Sequence, residues 1–200
     1  MKILQIKTSI LSQYSTSNQL SNEFVEQYIS KHSGGELEVL DFETTTIPHV
    51  DGQLLGALAA SESERSTEQA QQVAFADNLI AQLMQSDVVV LGLPMYNFNV
   101  PSMLSSYFDH VARAGVTFNY TATGPVGLLE NKKVYVVATR GGVHRDLPSD
   151  TQTGYVKQMF GFLGITDVEF IYAEGLNMGD DAKDQALSQA RAAITASVAA

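Results

Sequence analysis

"DVVVLGLPMYNF", Asp87 to Phe98, changes character halfway along. Its first half is nearly unbroken Val and Leu, the composition of a strand covered on both faces rather than one. Its second half opens on a proline, which ends ladder pairing. Met95, Tyr96 and Phe98 then stand beside Asn97. A buried strand that empties into an aromatic loop suggests an inner strand of a parallel sheet.

Four similar apolar runs flank it: "KILQI" (Lys2–Ile6), "LEVLDF" (Leu37–Phe42), "KVYVVAT" (Lys133–Thr139) and "VEFIYA" (Val168–Ala173). Helix-period segments lie between them. Thr16 and Gln19 have capping-box spacing ahead of Leu20, Phe24 and Tyr28, and Ser66 and Gln69 repeat it ahead of Val73, Ile80, Leu83 and Met84. Pro101 suits a first helical turn before Leu104, Phe108 and Val111, with Gly115 as the stop. Tyr155, Met159 and Leu163 mark a fifth segment. Leu187, Ile194 and Val198 give the Ala-rich tail from Asp180 a buried side.

Strands alternating with helices imply right-handed βαβ crossovers and a parallel sheet. Five strands suit the α/β, flavodoxin-like order 2-1-3-4-5, with helices on both faces. A single domain spanning 1–200 is expected, since 200 residues at 44% hydrophobic make one substantial core. Two segments depart from the alternation. Glu43 to Arg65 is long for a connection, as lids and partner surfaces often are. "VTFNYTATGPVG", Val116 to Gly127, reads as a hairpin turning at Thr123-Gly124-Pro125.

Composition narrows the chemistry. A net charge of −10 argues against a nucleic-acid footprint and an anionic membrane surface. With no cysteine, disulfides, thiolate catalysis and Fe–S ligation are excluded, so electron transfer would need a bound cofactor. No apolar stretch is long enough to span a bilayer and the N-terminus lacks a signal-peptide layout, so a cytoplasmic location is expected. His32, His49 and His110 show no ligand pattern, and no metal is expected. The Walker A, G-x-G-x-x-G, G-x-S-x-G and H-E-x-x-H patterns are absent.

In the order 2-1-3-4-5, strands 1, 3 and 4 are neighbours, so the loops after them share one rim. The first, within "KTSILSQYSTSNQL" (Lys7–Leu20), carries seven hydroxyl side chains, from Thr8 to Ser17, and no glycine. Hydroxyls and free N–H groups at a helix start can surround a phosphate. Helix capping plus solvent exposure is the alternative, and it accounts for only one or two of them. "PMYNF" can sandwich a flat heteroaromatic ring and read its edge, or its aromatics can simply cover the core. "TRGGVH" (Thr139–His144) has two glycines that allow close backbone approach. Arg140 can pair with a carboxylate or brace the loop. His144 can donate to a ring oxygen or remain merely solvated.

The same residues carry a family resemblance over nearly the full length. "YSTSNQLS" (Tyr14–Ser21), "PMYNFNVPSMLSSYFDHVARAGVTFNYT" (Pro94–Thr121), "TRGG" followed by "VH", and "FLGITDVEFIYAEG" (Phe162–Gly175) make the chain resemble the FMN-dependent NADH-azoreductases, flavodoxin-like quinone and azo-dye reductases. The family usually has Ser-Gln-Ser where Ser15-Thr16-Ser17 stand, and often Ser at Thr139; both changes keep small polar groups. The resemblance implies that Ser9, Ser15, Thr16 and Ser17 hold the FMN phosphate. It implies that Met95, Tyr96, Asn97 and Phe98 flank the ring, with Thr139, Arg140, Gly141 and Gly142 on its other edge. It further implies a homodimer with sites at the interface, where Tyr120 and Phe162 line a substrate pocket. Phe160 and Phe162 cannot share one helix face; one is expected in the core, leaving the other for an interface, unless both are core aromatics. The implied reaction is ping-pong hydride transfer from NADH, with NADPH possible, to quinones and azo compounds. Gly141 and Gly142 N–H groups, helped by His144, would stabilise charge on the ring, and no covalent residue is expected. The rival is a non-enzymatic, flavodoxin-type carrier of single electrons.

Overall fold

The computed structural model describes residues 1–32 and 34–200. Five strands form one parallel sheet: β1 (Lys2–Lys7), β2 (Glu36–Asp41), β3 (Val88–Pro94), β6 (Lys133–Thr139) and β7 (Asp167–Ala173), ordered β2-β1-β3-β6-β7. Counted within the sheet this is the expected 2-1-3-4-5. All seven residues of β3 are buried, as its composition implies. Val89, Leu91 and Leu93 enter one core and Val88 and Val90 the other. The period of two along a strand thus feeds both layers.

Helices α1 (Thr16–His32) and α6 (Asp180–Ala199) cover one face through Leu20, Phe24, Ala190 and Ile194. Helices α3 (Thr67–Gln85), α4 (Ser102–Val111) and α5 (Thr151–Phe162) cover the other through Leu79, Leu83, Leu104, Phe108, Val156 and Phe160. Ser66 and Gln69 do form a capping box on α3. Met84 falls off the buried stripe and is exposed.

Four local expectations need correction. The cap of α1 is Ser15, not Thr16: Ser15 Oγ accepts the Asn18 N–H at 3.2 Å, and Gln19 turns away to donate to Gln13 O. Helix α4 stops at Val111 rather than running to Gly115, because Thr117 Oγ1 donates to the Val111 carbonyl at 2.6 Å. Glu43–Arg65 is not an unbroken loop. It holds α2 (Gly52–Ala59), capped by Asp51 and packed on α3 through Leu54, Ala57 and Val73. The hairpin, β4 (Phe118–Thr121) and β5 (Gly124–Gly127), turns at Ala122-Thr123, because Thr121 pairs directly with Gly124.

No helix among the described residues is long and apolar enough to cross a membrane. Register sets the functional rim. Pro94 pairs with Thr139 and Thr139 with Ala173, so β3, β6 and β7 end level with one another. Lys7 pairs with Gly92, two residues before Pro94.

Candidate functional site

A cleft of about 280 Å³ opens beyond those strand ends. Ser9, Ser15 and Thr16 line it from the loop after β1, Met95 and Tyr96 from the loop after β3, and Thr139, Arg140 and Gly141 from the end of β6. The three loops expected to meet do meet. Leu176, Asn177 and Lys183 complete the wall from the far side of β7, together with Leu11, Tyr14 and Pro94.

At the β1 end the backbone is arranged to donate. Ser15 N–H goes to Ser12 O, and Asn18 N–H to Ser15 Oγ. The N–H groups of Thr16 and Ser17 have no acceptor among the described residues, which is the ordinary condition of a helix start. They carry the positive end of the α1 dipole toward the cleft. Helix α1 can sit this close to the sheet because Gly92 lacks a side chain: a Cβ there would lie 3.1 Å from Ser17 O and from Ser21 Oγ. The hydroxyls divide by role. Thr8 Oγ1 donates to Gly92 O at 2.8 Å and is structural. Ser17 is buried with its Oγ 3.0 Å from Ser15 Oγ, outside the lining. Ser9 Oγ lies 2.9 Å from the Tyr96 hydroxyl and ties the first loop to the second.

The second loop is a tight turn. Tyr96 and Asn99 exchange backbone hydrogen bonds at 3.0 and 2.9 Å, with Asn97 and Phe98 between them at φ 50° and 63°. Two positive φ values in succession are the signature of a type I′ turn. An aromatic residue in that region is strained. Phe98 is nevertheless 58% exposed, so the core does not compel its position. Asn97 and Phe98 stand beside the cleft rather than in its lining.

The third loop is held from behind. The Arg140 guanidinium is fully buried, 2.7 Å from Asp150 Oδ1 and 3.1 Å from Glu174 Oε1 and from Thr153 Oγ1. It sits over the Tyr172 ring. Arg140 therefore braces the loop, and only the rest of the residue faces the cleft. Burial pushes the Asp150 carboxyl up, but hydrogen bonds from Arg140 and Thr153, with the Arg140 charge, hold it below its ordinary value. Glu174 Oε1 also accepts the N–H groups of His144 and Arg145, at 2.8 and 2.9 Å. The carbonyls of Arg140, Gly141 and Gly142 accept from Leu176, Asn177 and Gly175. The Gly141 and Gly142 N–H groups have no acceptor among the described residues. His144 lies outside the lining, with Nδ1 2.9 Å from Ser149 Oγ and its ring edge-on to Phe98. Its Nε2 is 2.9 Å from where a Gly142 Cβ would stand.

Tyr120 and Phe162 are outside the cleft lining and both pack on Phe118, with ring centroids at 5.3 and 4.4 Å. Phe160 is fully buried while Phe162 is partly exposed, the division expected of residues two apart on a helix. Tyr120 is 75% exposed.

Leu176, Asn177 and Lys183 escaped sequence reasoning. A signal existed, since β7 neighbours β6 and its outgoing loop must leave at the same rim. Among the described residues the lining has no carboxylate, and of its two residues with charged side chains, Arg140 and Lys183, the guanidinium of Arg140 is buried behind it.

The chain matches a family model described as a flavodoxin-like fold over residues 1–198. Among curated relatives, an FMN-dependent NADH:quinone oxidoreductase of Shigella flexneri is 50% identical, over 100% of this chain and 99% of its own. One of Cellvibrio japonicus is 48% identical, over 99% and 98%. Among solved structures, an azoreductase from Bacillus anthracis str. Sterne superposes with a TM-score of 0.89 at 31% identity, covering 99% of this chain and 98% of that one. An FMN-dependent NADH-azoreductase from Bacillus anthracis str. Ames Ancestor, in complex with FMN, gives 0.90 at 26% identity, covering 99% and 97%. With the rim built as the fold requires and relatives this similar end to end, the chain belongs to the flavodoxin-like family of FMN-dependent NADH:quinone oxidoreductases and azoreductases.

Proposed function

We propose that this protein is an FMN-dependent NADH:quinone oxidoreductase that also cleaves azo compounds reductively. The observation that carries the reading is a cleft with unengaged N–H groups at its wall and no carboxylate among the described lining residues, ending at the start of α1. That donor set fits FMN, an anionic phosphate joined to a ring edged with acceptors. Ser9, Ser15 and Thr16, with the N–H groups of Thr16 and Ser17, would hold the phosphate. Met95 and Tyr96 would face the ring, and the N–H groups of Gly141 and Gly142 would meet its acceptor edge.

FMN held there would supply two-electron hydride chemistry between NADH and the acceptor, in ping-pong order. The protein's own work is to orient and to polarise. The turn at Asn97-Phe98 positions aromatic surface beside the cleft, and the Arg140–Asp150–Glu174 brace keeps the Gly141 and Gly142 donors in place. NADPH is a second possible donor.

We further propose a homodimer with its sites at the interface. Tyr120, Val126 and Leu128 expose apolar surface along the hairpin and the residue just after it, 75%, 49% and 40% exposed. Apolar surface gathered on one element favours a partner. A cytoplasmic setting without nucleic-acid or membrane partners accords with the net charge of −10.

Anaerobic addition of NADH to the FMN-loaded protein should bleach the visible flavin absorbance without a second protein, and a quinone should restore it. Failure to bleach would favour the single-electron carrier. The names of the relatives, oxidoreductases all, support the enzyme.

A further inference from the structure

We propose that Lys183 is the cation that holds the phosphate of FMN in this protein, and that it sets the preference for FMN over riboflavin; the proposal rests on the function proposed above. Two cations belong to the cleft wall, and they differ in availability. The Arg140 guanidinium is buried and already engaged by Asp150 and Glu174. Lys183 is exposed and makes no ion pair among the described residues, although Asp180, Asp181 and Asp184 are its sequence neighbours.

The packing of α6 on α1 says at what level of α1 Lys183 stands. Arg191 Nε and Nη2 donate to Glu23 at 2.9 and 3.0 Å, and Thr195 Oγ1 donates to Gln27 Oε1 at 3.1 Å. Both pairs are separated by 168 residues, so the two helices run parallel and in step. Retracing about two helical turns from the Arg191–Glu23 pair brings Lys183 level with Ser15. Ser15 is the cap of α1, and the next two N–H groups are the unengaged ones of Thr16 and Ser17. Lys183, Ser15 and Thr16 all line the one cleft, which agrees with that placement.

Neutral donors at a helix start suffice to bind a phosphate. Here the anion must approach a protein of net charge −10, whose field opposes it. A mobile ammonium beside the helix start offsets that field locally. Lysine acts as a point charge and needs no fixed fork geometry, so an exposed side chain serves. Exposed charge pairs are weak and are screened by salt. The expected contribution to FMN affinity is therefore about five- to tenfold at low salt. Riboflavin has no phosphate and gains nothing from Lys183.

The test is titration of the flavin-free protein with FMN and with riboflavin, followed by flavin fluorescence at low and high salt. Wild type, Lys183→Met and Lys183→Arg are compared. Lys183→Met should weaken FMN about five- to tenfold at low salt, with the gap closing at high salt, and leave riboflavin unchanged. Lys183→Arg should restore most of the FMN affinity. Unchanged FMN affinity in Lys183→Met, or equal weakening of both flavins, would overturn the proposal. A wild type that binds neither flavin would instead remove the functional reading beneath it.

Discussion

Replacing Arg140 by Met should destabilise the protein by about 3 kcal/mol at neutral pH. The guanidinium is fully buried, and the side chains of its partners Asp150 and Glu174 are only 8% and 12% exposed. Removing the cation leaves two carboxylates with little access to water. Breaking a buried pair from one side typically costs about 3–5 kcal/mol. The lower end applies because each carboxylate keeps other donors. Asp150 retains the Thr153 N–H at 3.1 Å and its hydroxyl at 2.8 Å, and Glu174 retains the His144 and Arg145 N–H groups.

For a chain of this size the loss corresponds to a fall in Tm of roughly 6–12 °C. The pH dependence gives a sharper check. In the wild type the Asp150 carboxyl lies below its ordinary value, so its contribution is present above the unfolded carboxyl pKa and is lost as pH falls through the folded value. Without Arg140 its hydrogen bond and its charge no longer hold the carboxyl down, so burial opposes only the Thr153 hydrogen bonds and the downward shift shrinks. The variant therefore loses less stability than the wild type as pH falls through the carboxyl range. The difference between them should narrow on acidification. Urea unfolding of both flavin-free proteins, followed by circular dichroism between neutral and mildly acid pH, reads it directly. A loss below about 1 kcal/mol at neutral pH, or a gap that widens with acid, would refute the reasoning.

Three further outcomes follow from local geometry. Gly127→Ala should cost several kcal/mol or prevent folding, because its Cβ would lie 2.0 Å from Gly164 N and 2.2 Å from Leu163 C, where only backbone could yield; a thermal melt near that of wild type would contradict the close packing of hairpin on α5. Phe98→Gly should leave stability unchanged or raise it by up to about 1 kcal/mol, since φ of 63° suits glycine, while raising the KM for quinones; marked destabilisation in a melt would show that Phe98 is packed rather than strained. Ser15→Ala should cost about 1 kcal/mol through the lost α1 cap and also weaken FMN, whereas Thr16→Ala should spare stability; equal melts for wild type and Ser15→Ala would argue against Ser15 as the cap.

Much of the site was legible in the loops themselves. "PMYNF" and "TRGGVH" follow strands whose pairing order is implied by alternation alone, so their meeting with the loop after β1 needed no tertiary detail. Arg140 was not legible in the same way. Its two sequence-based readings, pairing with a carboxylate and bracing the loop, are both realised, but which carboxylates was unknowable. Asp150 and Glu174 lie 10 and 34 residues away, and only burial makes their ion pairs with Arg140 obligatory.

What the chain determined alone was most of the periodic pattern: five apolar runs, the main part of the helix stripes, and hence the order of the sheet and the rim where ligands gather. Periodicity is local, and it survives in the primary structure because each strand or helix must present an apolar side somewhere. The tertiary structure decided what depends on where separate elements come to rest. It put Lys183 in the same cleft wall as Ser15 and Thr16, and it placed His144 behind Gly142 rather than in that wall. Such placements follow from the relative orientation of packed elements, which the side-chain pattern of either element alone does not encode.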